Sequence, residues 1–232
     1  MRCGASLQAA MNEQEETGKP HPPRVRDMPA PRKSKGLASG AMRWIFTWPY
    51  RAVLAGLYRA GVRPWQLTLA SLATNVVIGW LLVTGRRFLP GALLIPAGMF
   101  DIFDGGVARL RGEDKRSGAF LDSVLDRVSD AILFSCLYWS LAAQGRRLDA
   151  GLALATLVIT LVVSQIRAEA EASGVSLSEG FFQRLERYVA LVIGLMVPGA
   201  LLPVLAILTA LGSLTVLQRG WSAWRRLSRP AT

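Results

Sequence analysis

FLPGALLIPAGMFDIFDGGVARL, residues 88–110, is a hydrophobic stretch that ends in Asp101, Asp104, Gly105, Gly106 and Arg109. Its length matches the roughly 20 residues that an α-helix needs to cross a bilayer. Ionisable groups inside such a helix are costly and are usually kept for function. The loop RGEDKRSG follows, then a second apolar run over 118–143 that carries Asp122 and Asp126 near its start. Asp101 and Asp104 are three apart and Asp122 and Asp126 four apart, so each pair falls on one helical face. The short loop predicts a hairpin whose acidic faces meet. At about 1.5 Å per residue all four carboxylates lie in one shallow layer below the loop.

Further apolar runs cover 66–85, 149–170, 181–198 and 200–217, separated by GRR, QGRRLD, ASGVSLSEG and PGALLP. No strand pattern and no repeat competes. The expected fold is an all-α integral membrane protein, with six transmembrane helices preceded by an N-terminal interfacial amphipathic helix. The domain reading is a disordered basic, Pro-rich arm over 1–40, an interfacial helix over 41–62, a six-helix domain over 63–218 and a basic tail over 219–232. The arm holds Pro20, Pro22, Pro23, Pro29 and Pro31 without an apolar period. It lacks an apolar signal-peptide segment. AMRWIFTWPYRAVLAGLYRAG mixes aromatic anchors with Arg43, Arg51 and Arg59, as suits a helix lying at headgroup level.

Composition agrees. Of 232 residues, 51% are hydrophobic, and mean hydropathy is +0.31. The net charge of +11 fits an anionic membrane surface, and the apolar runs favour that partner over nucleic acid. With the N-terminus inside, 22 Lys and Arg fall on the cytoplasmic side against four on the other. That bias puts both termini and the acidic layer on the cytoplasmic face of the membrane. Cys3 and Cys136 are the only cysteines and His21 the only histidine. A disulfide framework, a CxxC site and histidine-based catalysis are thereby excluded.

Four converging carboxylates repel one another unless cations compensate. An all-oxygen cluster suits Mg²⁺ or Mn²⁺, ions that also hold phosphates. Gly105, Gly106 and Gly118 remove bulk beside the cluster, and Arg109 can fork onto phosphate oxygens. The bland alternative makes these aspartates caps or partners of Arg109, Arg111 and Arg127. Asp130 continues the i+4 series and is left outside the site, in a polar cavity or paired with Arg127.

The pattern D-x2-D-G-x2-A-R-x8-G-x3-D-x3-D is complete in Asp101, Asp104, Gly105, Ala108, Arg109, Gly118, Asp122 and Asp126. It resembles that of the CDP-alcohol phosphatidyltransferases, and the likeness in layout extends over about residues 41–220. The resemblance implies transfer of a phosphatidyl group from a CDP-activated lipid such as CDP-diacylglycerol to an alcohol, with release of CMP. It further implies that Asp101, Asp104, Asp122 and Asp126 bind two divalent ions, Mg²⁺ or Mn²⁺, and that Asp126 is also the catalytic base. Gly105, Ala108, Arg109 and Gly118 would hold the CDP-lipid, and the chain would form a homodimer. Two positions depart from the family. Pro64-Trp65-Gln66-Leu67-Thr68 has Trp65 where relatives often have Asn, which passes a nucleotide contact to Gln66 or Thr68. Lys115 stands where a small hydroxyl residue is common, and is carried over as a phosphate contact.

For the acceptor, SQIRAEAEASG offers Ser164 and Arg167 on one face, and FFQRLERYVAL offers Arg184 and Arg187. A hydroxyl and three arginines at the cytoplasmic mouth read as a pocket for a phosphorylated polyol; ordinary positive-inside anchoring is the plainer account. The two blocks resemble the subgroup that uses inositol phosphate, with Leu185 at a usual Pro. Glycerol 3-phosphate, as in phosphatidylglycerophosphate synthases, is the alternative acceptor. A transporter or cation channel, the alternative of another class, would place polar groups near the midplane. Here four of the five intramembrane carboxylates fall in one leaflet.

Overall fold

The computed structural model describes residues 39–112, 116–175 and 184–228, and every element among them is α-helical. In chain order these are α1 Ser39–Arg59, α2 Pro64–Val83, α3 Phe88–Arg111, α4 Arg116–Ala143, α5 Arg147–Ala172, α6 Arg184–Met196 and α7 Leu201–Leu227. Three of the predicted breaks, at GRR, QGRRLD and PGALLP, fall at junctions between described helices. Pro64 opens α2 with its fixed φ, and the Gln66 side chain accepts from the Arg63 N–H at 2.8 Å. Gly112 closes α3 at φ 62°, a left-handed cap whose N–H returns to Ala108 and Arg109.

Four helices, α2, α3, α5 and α7, are long and apolar enough to cross a membrane. The other two expected spans fall short for different reasons. Within α4, Asp122, Asp126, Arg127 and Asp130 interrupt the apolar run. As described, α6 has 13 residues, or about 20 Å against a hydrocarbon core of roughly 30 Å. At the other end α7 runs on to Leu227, so most of the expected basic tail is helical. The expected arm, apart from Ser39 and Gly40, lies outside the described residues, as does Lys115.

Helices α2 to α7 close a ring in the order α3, α2, α4, α5, α7, α6, and α1 packs outside it on α3. Leu94, Leu133, Phe134, Leu137, Leu191 and Leu205 fill one apolar core inside this ring. A smaller cluster joins α1 to the base of α2 and α3 through Tyr50, Leu54, Leu67, Phe103 and Val107. The Tyr50 and Phe103 rings stack there at 5.3 Å. Apolar side chains also cover the outside, among them Val76, Val77 and Trp80 on α2 and Ile207, Leu214 and Leu217 on α7. A surface apolar on that scale suits lipid rather than water.

The predicted hairpin packing is corrected in one respect. Helices α3 and α4 are consecutive but not neighbours: among the described residues none of their Cα atoms come within 8 Å, and α2 packs against both. Asp-bearing faces therefore meet across the ring interior, with space between the backbones, rather than at a tight helix–helix seam.

A candidate metal and phosphate site

Asp101 on α3 and Asp122 and Asp126 on α4 each turn one carboxylate oxygen to a common point, all within 4.8 Å of one another. Asp104 lies outside this closest grouping but near enough to Asp122 and Asp101 for their charges to act on it. It is 6% exposed; its Oδ2 accepts from Thr68 Oγ1 at 3.0 Å, and its Oδ1 lies 2.5 Å from the Gly105 N–H. The structure thus brings three of the four aspartates together and ties the fourth to α2 one turn away. Asp122 Oδ1 is buried without a hydrogen-bond partner among the described residues, a carboxylate oxygen left for something other than protein.

Positive charge already reaches this cluster. Arg184 Nη1 donates to Asp101 Oδ1 at 2.6 Å and to Asp126 Oδ1. Its Nη2 donates to Tyr188 Oη at 3.2 Å, Tyr188 donates to Asn75 Oδ1 at 3.1 Å, and Asn75 Nδ2 donates to the Ser71 carbonyl at 2.9 Å. A chain of hydrogen bonds therefore runs from the carboxylates through α6 into α2. Three residues on, Arg187 Nη2 donates to Asp130 Oδ2 at 2.6 Å in a pair that is buried on both sides. Of the two surroundings considered for Asp130, a polar cavity or Arg127, the second is replaced: its partner is Arg187. Arg127 instead bonds Ser123 and, at 3.2 Å, the carbonyl of Ser164.

The remaining residues singled out in the sequence divide by their surroundings. A Cβ built on Gly118 would meet nothing within 4 Å, and one on Gly105 only the Arg109 Nη1 at 3.5 Å, so both backbones are open to a ligand. Gly106 is different. Its missing Cβ would lie 2.5 Å from Tyr50 Oη and 3.0 Å from Leu54, so that glycine seats α1 rather than a ligand. Arg109 is exposed and Ala108 half-buried beside this opening. Gln66 is exposed and engaged in the α2 cap, whereas Thr68 reaches Asp104. Arg167 is exposed and paired with Glu171 at 2.8 Å.

Sequence reading missed three groups that the fold places here. Tyr188 and Asn75 are buried in mid-helix, and their polarity inside apolar runs was the available signal. Arg219 was assigned to the tail; it is 8% exposed on α7, reaches toward the Val163 carbonyl at 3.5 Å, and lies close enough to Arg167 and Arg187 for their charges to act on it. Acidic residues of α3 and α4 thus face a basic flank built from α5, α6 and α7.

Known proteins share both sequence and shape with this chain. The sequence profile of the CDP-alcohol phosphatidyltransferase family matches residues 62–219. The phosphatidylinositol phosphate synthase of Mycobacteroides abscessus is 38% identical over 149 residues, which cover 62% of this chain and 67% of that one. The crystal structure of the Mycobacterium tuberculosis phosphatidylinositol phosphate synthase with CDP-DAG bound superposes with a TM-score of 0.69 at 32% identity. That match covers 78% of this chain and 98% of the other. A second structure of the same enzyme, in complex with manganese and citrate, gives a TM-score of 0.67 at 32% identity, over 75% of this chain and 88% of that one. With the full aspartate pattern, the helical ring and these matches in view, the chain belongs to the CDP-alcohol phosphatidyltransferase family.

Proposed function

We propose that this membrane protein transfers the phosphatidyl group of CDP-diacylglycerol to inositol phosphate, releasing CMP. The observation that carries the reading is the meeting of Asp101, Asp122 and Asp126 beside Arg184: an acidic nest that takes cations lies against a basic flank that takes an anion. The phosphatidylinositol phosphate synthase named among its relatives, and the CDP-DAG bound to one of them, support the same pair of substrates.

The donor set fits a hard divalent ion, being all carboxylate oxygen, with one buried oxygen that has no hydrogen-bond partner among the described residues. Asp101, Asp104, Asp122 and Asp126 would hold two ions, Mg²⁺ or Mn²⁺, which when bound neutralise the pyrophosphate and steady the leaving group. Gly105, Ala108, Arg109 and Gly118 would hold the CDP moiety, together with Thr68, Gln66 and Lys115. Ser164, Arg167, Arg184 and Arg187 would bind the acceptor phosphate. As Arg184 turns to that phosphate it frees Asp126, whose carboxylate takes the proton of the attacking hydroxyl. The hydroxyl oxygen forms a bond to the phosphorus that carries diacylglycerol. The bond from that phosphorus to the bridging oxygen breaks, and CMP leaves with the electron pair.

In the bilayer, α2 to α7 would form the six spans, with the charges of α4 turned into the ring, and α1 would lie at the interface. The basic-residue bias supports a cytoplasmic site and cytoplasmic termini. Homodimerisation follows from the family resemblance.

Purified protein supplied with CDP-diacylglycerol and Mn²⁺ should release CMP with inositol phosphate, and not with free inositol or serine. Release with glycerol 3-phosphate in its place would reassign the acceptor. Silence with every phosphorylated polyol would defeat the reading.

A further inference from the structure

Helices α4 and α6 do not pack against each other: among the described residues none of their Cα atoms approach within 8 Å. Two ion pairs nonetheless bridge the ring interior between them. Asp126 and Arg184 form the outer rung, Asp130 and Arg187 the inner one, and the residues of each rung are one helical turn from those of the other. The rungs differ in burial. The outer pair is partly open, with 32% of the Asp126 side chain exposed, and shares its aspartate with the carboxylate cluster. On the inner rung the Asp130 side chain is 4% exposed and Arg187 11%.

We propose that Asp130 is a positioning residue for acceptor recognition: its buried carboxylate holds the Arg187 guanidinium in place to meet the acceptor phosphate. This rests on the acceptor reading above. Three observations support it. A buried ion pair rarely stabilises a fold more than apolar side chains of the same size would, so stability gives little reason to keep one. Arg187 lies close enough to Arg219, on another helix, for their charges to interact, and the Asp130 carboxylate sets a negative charge directly beside it. Among the described residues, Asp130 Oδ1 and Arg187 Nε are buried without hydrogen bonds, so the 2.6 Å contact between Asp130 Oδ2 and Arg187 Nη2 sets the orientation of the guanidinium. The outer rung must open for Asp126 to act, whereas the inner rung lies outside the carboxylate trio and can stay closed through the reaction.

The test is steady-state CMP release by the full chain in liposomes with Mn²⁺, varying each substrate in turn. Asp130→Asn should raise the KM for inositol phosphate by about tenfold, while kcat and the KM for CDP-diacylglycerol stay within about twofold. Asp130→Glu keeps the charge and displaces it by one methylene, so a smaller rise in the same KM is expected. In an Arg187→Gln background, Asp130→Asn should add less than about twofold, because its effect passes through Arg187. An unchanged acceptor KM, an equal rise for both substrates, or a full additional rise in the Arg187→Gln background overturns the proposal. If Asp130→Asn does not fold, Asp130→Glu decides, and an acceptor KM equal to wild type overturns it. Wild-type protein that uses free inositol as well as inositol phosphate removes the acceptor reading and this proposal together. A wild-type preference for the phosphorylated acceptor that survives intact in Asp130→Asn removes this proposal alone.

Discussion

Thr68 on α2 donates its hydroxyl to Asp104 on α3 across 3.0 Å, and so ties the one aspartate outside the carboxylate trio to a neighbouring helix. Groups that orient metal-binding carboxylates commonly change affinity by about 10- to 100-fold when removed. Thr68→Val keeps the shape and loses the donor. A Mn²⁺ titration of CMP release should shift to higher concentration by at least about tenfold on that scale. Superimposable titration curves would show that the hydroxyl has no part in holding the metal.

Asp126 is the proposed base and also one of three carboxylates in the cluster. Asp126→Asn removes the proton acceptor with little change in volume. General base catalysis contributes about 10²–10⁴-fold, so turnover should fall by at least that much while the melting temperature stays near wild type. Near-normal CMP release would rule Asp126 out as the base.

Arg184 offsets repulsion among the carboxylates from within the protein. Arg184→Gln takes that charge away. Without divalent ions the variant should melt several degrees lower, on the order of 5 °C, and Mn²⁺ should raise its melting temperature more than it raises that of wild type. A thermal scan with EDTA and with Mn²⁺ measures both. Equal Mn²⁺-induced shifts would mean that Arg184 and the cation do not substitute for one another.

The adjacent glycines should separate cleanly. Gly106→Ala forces a methyl group to 2.5 Å from Tyr50 Oη, and Tyr50 is buried and stacked on Phe103, so it cannot easily yield. A loss of about 1–3 kcal/mol in stability is expected from such overpacking, read by denaturation of the detergent-solubilised protein. Gly105→Ala meets only the mobile end of Arg109 at 3.5 Å. Its effect should fall on the KM for CDP-diacylglycerol, with stability near wild type.

Much of this arrangement is legible in the chain itself. Proline and glycine mark several helix ends, as Pro64 and Gly112 do, and the spacing of the aspartates sets Asp101, Asp104, Asp122 and Asp126 on facing sides; of these, Asp101, Asp122 and Asp126 turn an oxygen to one point. What spacing along one helix does not encode is which helix lies next to which. A short loop between α3 and α4 invites the idea that they pack together, yet α2 packs against both. The Arg187–Asp130 contact spans 57 residues and depends on that same ring order. Local reading therefore offered Asp130 only a polar cavity or the nearer Arg127. Arg219 escaped for a related reason: a cation past the apolar run 200–217 looks like tail, and only continuation of α7 to Leu227 brings it back against α5.

The seat of α1 on Gly106 has a practical consequence for anyone shortening this protein. Gly106 follows directly on Gly105, so the floor of the reaction chamber is braced from behind by Tyr50 and Leu54. Cutting the chain after residue 60 would delete none of the site residues named above, yet would strip the prop from the wall that carries Asp104.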